Sequence, residues 1–187
     1  MKSRQPITLK RDCEVVQIPN GVKAVLPAGT QVTITQALGG AFTVVTNYGY
    51  LARIAGHDAG AIGQEPPAQP AGNAAAAEDG RQPAEVEQAV WDQMKTCYDP
   101  EIPVNIVDLG LVYHCDVVRH PEGGNKVFVK FTLTAPGCGM GDWLKADMEA
   151  KIMALPGVRD VDVEVVFEPP WDRSMMSEAA RLQTGMM

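Results

Sequence analysis

The sequence predicts an α+β protein in two parts, a small β-module followed by an α+β sandwich, and three observations carry that prediction. Residues 1–63 hold five short β-type runs with turn chemistry at every break. Residues 64–83 are rich in Pro, Ala, Gln and Gly and show no apolar periodicity. Residues 84–187 then alternate between helical and period-2 apolar patterns in the order helix, strand, strand, helix, strand.

The module strands are expected at 14–18, 21–26, 30–35, 42–46 and 51–54. They are separated by Pro19-Asn20-Gly21, Pro27-Ala28-Gly29, Leu38-Gly39-Gly40 and Asn47-Tyr48-Gly49. Short strands with such breaks suggest a small barrel or sandwich-like unit. Its expected core is Val16, Ile18, Val25, Val32, Ile34, Val44 and Ile54. His57 and Asp58 follow in a glycine-flanked stretch that reads as a solvated loop. The run Ala74 to Ala77 inside 64–83 is far below the ~12 to 15 residues an isolated helix needs, so 64–83 reads as a flexible linker.

In the second part, Pro83 marks a helix start, and Val86, Val90, Met94 and Cys97 fall on one face of the helix. Pro100 and Pro103 force the next segment to be extended or turned. Leu109, Leu111, Tyr113, Cys115 and Val117 alternate as one strand, with Cys115 read as a packing residue. A turn at 120–125 leads to a second strand carrying Val127, Val129, Phe131 and Leu133, so the two form a hairpin. Leu144, Met148, Ile152 and Leu155 recur at helical spacing until Pro156-Gly157 ends the helix. Val161, Val163, Val165 and Phe167 make the third strand. Residues 177–183 read as a short amphipathic helix ended by Gly185. The expectation is a three-stranded sheet covered on one face by two helices.

Composition narrows the function. Of 187 residues 45% are hydrophobic and the net charge is −7, which suits one or two small globular domains. The charge is uneven: residues 1–63 carry six Lys and Arg against three Asp and Glu, whereas residues 84–187 carry nine against seventeen. An acidic main domain without a basic stripe repels phosphate backbones, so no nucleic-acid partner is expected. No apolar run is long enough to span a membrane, and the polar start lacks a signal-peptide core, so the expectation is a cytoplasmic protein with reduced thiols and no membrane partner.

One cysteine stands out. Cys138 lies in Thr134-Ala135-Pro136-Gly137-Cys138-Gly139-Met140-Gly141, between a strand pattern and a helix pattern. A thiol near a helix's unpaired N–H groups has a lowered pKa and more thiolate, the form that binds metal. The alternative is a small apolar side chain filling a gap. Carboxylates gather upstream at Asp99, Glu101 and Asp108, with two readings: turn and capping residues, or groups that ligate metal or hold the thiolate loop. Trp171, Met175 and Met176 follow the last strand and read either as packing at the sheet edge or as an apolar surface for docking partners. The chain has no Cys-x-x-Cys, no phosphate-binding glycine motif and no serine nucleophile elbow.

Several segments together resemble the iron–sulfur targeting domain family, which includes the eukaryotic cytosolic iron–sulfur targeting subunit, the PaaD proteins of phenylacetate degradation and the N-terminal domain of Mrp-type carriers. They are Asp99-Pro100-Glu101-Ile102-Pro103, residues 107–113 (VDLGLVY), 134–138 (TAPGC), 155–158 (LPGV), Pro169-Pro170-Trp171 and 176–182 (MSEAARL). The module segments 26–30, 34–40 and 42–45 extend the likeness to the SufT-like accessory proteins of bacterial SUF assembly. The resemblance implies a non-enzymatic factor that helps mature or deliver iron–sulfur clusters to apo-proteins. Its partners would be scaffold or carrier proteins and apo clients, with a homodimer as one arrangement. It also implies that Cys138 is the functional thiol, supported by Thr134, Pro136, Gly137 and Gly139. Asp99, Glu101 and Asp108 become the acidic signature.

No second cysteine stands beside Cys138. A cluster takes four ligands, mostly thiolates, so no cluster is expected to be stably bound, and Cys138 would ligate iron transiently at most. Two alternatives stay open: a structural or assembly subunit of a multicomponent oxygenase, and a thiol-dependent enzyme using Cys138 as nucleophile with a carboxylate or His114 as base.

Overall fold

A computed structural model of the protein describes residues 5–66, 80–99, 102–135 and 139–185. The fold is mixed α+β and divides into two compact units, Met1–Ala68 and Gln69–Met187. Most of the expected linker, 67–79, lies outside the described residues.

The first unit is an antiparallel sheet of six strands: β1 (Ile7–Thr8), β2 (Cys13–Ile18), β3 (Lys23–Leu26), β4 (Gln31–Leu38), β5 (Ala41–Thr46) and β6 (Leu51–Ile54). Their order is β1-β4-β5-β6-β2-β3. All five expected strands are present, and β1 adds a two-residue sixth. Leu9, Cys13, Val15, Leu26, Val32, Val44, Ala52 and Ile54 form the core, together with Ala61 and Ile62 from a 3-10 helix at Gly56–Ile62.

Two strands differ in register from the sequence expectation. Val15 rather than Val16 points inward, and Val25 is 59% exposed. Adjacent apolar residues, Val15-Val16 and Ala24-Val25, leave period-2 counting undecided, and the buried Cys13 settles it by starting β2 one residue earlier. The stretch read as a solvated loop is partly structural. Asp58 is buried, and its carboxylate accepts a 2.6 Å bond from Arg11 Nη2, while the His57 ring stays exposed.

The second unit begins with α1 (Pro83–Met94). Proline at its first turn lacks an N–H that would go unpaired there anyway, and the Gln82 N–H donates to Glu85 Oε2 at 2.9 Å. Val86, Val90 and Met94 are the buried stripe. Three strands follow: β7 (Val112–Arg119), β8 (Asn125–Phe131) and β9 (Val158–Val165), in the order β7-β8-β9. β7 and β8 are an antiparallel hairpin, and β8 and β9 run parallel, joined by α2 (Gly141–Met153). A short α3 (Glu178–Thr184) closes the chain, capped by Ser177 and ended by Gly185 in the left-handed region.

The core lies between the helices and one sheet face. Val127, Val129, Phe131 and Val163 pack against Val86, Val90, Met94, Leu144, Met148 and Ile152. At the far end of the sheet, buried Asn125 ties turns together, its Nδ2 donating to Gly157 O at 2.9 Å and Arg81 O at 3.1 Å.

The first strand of this sheet starts later than its alternation suggests. Leu109 and Leu111 are fully buried, yet Leu109 belongs to a turn at 106–110, Leu111 follows that turn, and β7 begins only at Val112. Asn105 makes the turn: its Oδ1 accepts from the Asp108 N–H at 2.9 Å, and Gly110 adopts φ +72°. A bulge then interrupts the ladder between Val112 and His114 and leaves Tyr113 out of the pairing.

The observed register has a direct test. Val15→Ala should lower unfolding free energy by about 2 kcal/mol from lost burial plus a cavity, whereas Val25→Ala should stay within about 0.5 kcal/mol, both measured by urea denaturation. Equal costs at the two sites would contradict the β2–β3 register.

Candidate functional site

Strand directions decide where the cysteine loop emerges. Val112 at the start of β7 pairs with Phe131 at the end of β8, which pairs with Val165 at the end of β9. Three segments therefore meet at one end of the sheet: the turn before β7, the loop after β8 and the tail after β9. Backbone bonds join them, with Thr132 N donating to Leu111 O at 2.8 Å and Val166 N to Phe131 O at 2.8 Å. In an α/β arrangement the carboxyl ends of parallel strands are where loops are free to carry function.

The loop runs from Thr132 to Met140. Thr132 and Met140 are buried, Thr134 is half-buried and Gly139 exposed. Pro136, Gly137 and Cys138 lie outside the described residues. In the chain, Cys138 precedes Gly141, the first residue of α2, by three positions.

The other three cysteines are accounted for by packing. Cys13 and Cys97 are buried, and Cys115 is half-buried against the core. Burial pushes the Cys13 thiol up to about 11, with Asp58 adding to the effect. It pushes Cys97 up to about 12, with Asp147 contributing, and Cys115 up to about 12, with Glu87 contributing. All three are thiols, not thiolates, at neutral pH and are poor nucleophiles and poor metal ligands. A raised native pKa favours the protonated folded state. Its stabilising effect is whole below pH 9 and fades as pH rises from the ordinary thiol value of 9.0 toward these native values.

The carboxylates Asp99 and Asp108 are engaged in the turns that shape this end of the sheet. Asp99 is 5% exposed, and its Oδ1 accepts from the Ile102 N–H at 3.1 Å. Its segment folds back through a bridge between Tyr98 and Asn105 and through Ile106 N donating to Cys97 O at 2.9 Å. Asp108 Oδ2 accepts from Asn105 Nδ2 at 2.6 Å, and its carbonyl accepts the Ser177 N–H at 2.8 Å, which docks the start of α3. Glu101 lies outside the described residues. Among the described residues, no group of three or more His, Cys, Asp or Glu side chains is placed to hold a metal.

Trp171, Met175 and Met176 strap the tail onto the β7 turn. Trp171 Nε1 donates to Leu109 O at 2.7 Å, and the Tyr113 hydroxyl donates to Pro169 O at 2.8 Å and meets Met175 Sδ at 3.5 Å. Met176 is 3% exposed and belongs to the core, while Trp171 and Met175 are half-buried. Tyr113, Asn105 and Gly110 are the residues here to which sequence reasoning gave no role at the site. Gly110 carried a signal, because Asp108-Leu109-Gly110 is turn chemistry.

Similarity to known proteins agrees with this geometry. A model of the family described as iron–sulfur cluster assembly protein matches residues 87–165, from α1 through β9. The Fe-S protein maturation auxiliary factor of Porphyromonas gingivalis is 41% identical over 103 residues, which are 55% of this chain and 94% of that protein. The chain belongs to the iron–sulfur cluster assembly protein family. Two other members are the maturation auxiliary factors SufT of Staphylococcus aureus, 35% identical over 47% of this chain and 96% of its own length, and YitW of Bacillus subtilis, 31% identical over 54% and 95%. The stretch that defines the iron–sulfur assembly family here contains Cys138 and the whole loop after β8. The β-module and the tail after β9 lie outside it.

Two outcomes check the site. Iodoacetamide at pH 7.5 should modify one of the four thiols of the native protein, and Cys138→Ala should abolish labelling; modification of Cys97 or Cys115 without unfolding would contradict their burial. Gly110→Ala should cost about 2 to 4 kcal/mol in urea denaturation. It combines a strained left-handed alanine with a Cβ that runs into the Met175 carbonyl and comes within 2.9 Å of Met175 Cβ.

Proposed function

We propose that this chain is an accessory factor in iron–sulfur protein maturation that acts through the thiol of Cys138. The observation that carries the reading is the contrast among the cysteines: three are held by packing with raised pKa values, and the fourth belongs to the loop at the carboxyl end of β8. Three relatives that match it are named as maturation auxiliary factors, which supports an assembly role.

The chemistry follows from ligand count. A cluster in transit is the cargo, and its irons take four ligands, mostly thiolates. Cys138 supplies one. The remaining positions come from a second copy of the chain, a low-molecular-weight thiol, or the donor or recipient protein, so ligation is brief and the cluster moves on. Asp99 and Asp108 act by shaping the neighbouring turns, and Glu101 joins them as the third acidic residue of the signature. Thr134, Pro136, Gly137 and Gly139 set the loop that presents the thiol. The half-buried Trp171 and Met175 contribute an apolar rim for scaffold, carrier or apo client proteins. The setting we propose is the cytoplasm, where thiols stay reduced. No helix among the described residues is long and apolar enough to cross a membrane.

Cys138→Ala, which removes one sulfur atom from a connection between β8 and α2, should keep the wild-type circular dichroism and unfolding midpoint, yet fail to restore iron–sulfur enzyme activities in cells lacking the protein. Full restoration would refute the thiol's role. In anaerobic reconstitution, the wild type should take up iron only in an oligomer or with an added thiol; uptake equal in Cys138→Ala would remove Cys138 as ligand.

A further inference from the structure

We propose that β9 is a docking edge for an extended, basic segment of a partner protein, which adds to the sheet as a fourth strand beside Val161–Val165. Among the described residues the sheet ends at β9, whose one strand neighbour there is β8. Val166 N donates to Phe131 O, so even-numbered residues of this stretch turn their backbone groups toward β8. Backbone direction alternates along a strand, so the N–H and C=O groups of Val161, Val163 and Val165 point away from the sheet. The Asp160 carboxylate accepts the Val161 N–H at 3.0 Å. The outward groups of Val163 and Val165 have no partner among the described residues. An edge of this kind is a template for another strand.

The side chains select what fits. The odd-numbered valines face the helices, and the even-numbered Asp160, Asp162 and Glu164 lie on the opposite, solvent face beside Lys126, Phe128 and Lys130 of β8. Lys126 pairs with Asp160 at 2.8 Å and Lys130 with Glu164 at 3.2 Å. Asp162 sits opposite Phe128, with Asp116 of β7 on the ring's other side. Neither of these exposed carboxylates makes an ion pair with a described residue. Two lysines thus stand against the three acids of β9, and Lys126 also attracts Asp162, so the edge keeps a net negative charge along this face.

That charge rules the occupant. A second copy pairing β9 to β9 would set Asp160, Asp162 and Glu164 against the same three acids, and like charges directly opposite destabilise a ladder. A strand with Lys or Arg at alternate positions instead places cations against Asp162 and Glu164. Its intervening residues then lie on the helix side, next to the valine row. Main-chain bonds give the affinity and the charges give the selection. Neither depends on Cys138 or on the assembly role.

The test uses the full-length, isotope-labelled protein and three blocked octapeptides: alternating Lys-Val, alternating Lys-Pro and alternating Glu-Val. Lys-Val should shift the Val163 and Val165 amide resonances and bind at least tenfold tighter than either control. The exposed-site double variant Asp162→Lys with Glu164→Lys should lose at least tenfold of that affinity at unchanged circular dichroism. Equal binding of Lys-Pro, whose prolines remove every second backbone N–H donor, would reduce the edge to a charge patch and overturn the proposal. Equal binding of Glu-Val, shifts confined to other residues, or no shift at millimolar peptide would overturn it as well.

Discussion

Parallel pairing of β8 with β9 is the constraint on which the rest of the second unit depends. The chain leaves β8 at one end of the sheet, returns along α2 across the helix face, and starts β9 beside the start of β8. Both strands then finish at the same end, where antiparallel β7 begins. An antiparallel β9 would have sent the tail to the opposite end. With the observed pairing, the turn at 106–110, the loop carrying Cys138 and the segment after Val165 share one location, and α2 starts there as well.

What stabilises that location is a set of hydrogen bonds to backbone carbonyls, three from side chains and one from a backbone N–H, made by residues distant in the chain. Leu109, Pro169, Asp108 and Pro103 offer carbonyls to Trp171, Tyr113, Ser177 and Gln183. Each carbonyl lies in a turn or tail where no ladder could satisfy it, and at fully buried Leu109 an unpaired carbonyl would be costly. The tail thus completes the turns, and Gly110 is required because the Met175 backbone lies against its α-carbon. The result is a cross-linked frame at the end of the sheet from which the glycine-rich loop departs.

Much of this was legible from residue order. The five module strands, the helix-strand-strand-helix-strand order and the packing of Cys97 and Cys115 follow from period and punctuation, because long apolar patterns report burial directly. The register of β2 and β3 did not, since Val15-Val16 and Ala24-Val25 satisfy either face and only the neighbouring strands choose. Leu109 and Leu111 mimicked a strand because leucines that fill the core from a turn and from the residue just after it show the same alternation as a pleat. The partnership of Asp108 with Ser177, and of Tyr113 with Pro169, joins residues more than fifty positions apart, which no local pattern encodes. The edge character of β9 likewise belongs to strand order, although its alternating acids stand plainly in the sequence.

The central physical claim is that one thiol of four ionises readily while packing holds the others protonated. The most direct measurement is the rate of iodoacetamide reaction with native protein between pH 5 and pH 10, with Cys138 followed by mass spectrometry. A rate rising to a plateau with an apparent pKa clearly below the ordinary thiol value of 9.0 is the expected result. A profile centred at or above that value, or no reaction at Cys138 at any pH at which the protein stays folded, would contradict it.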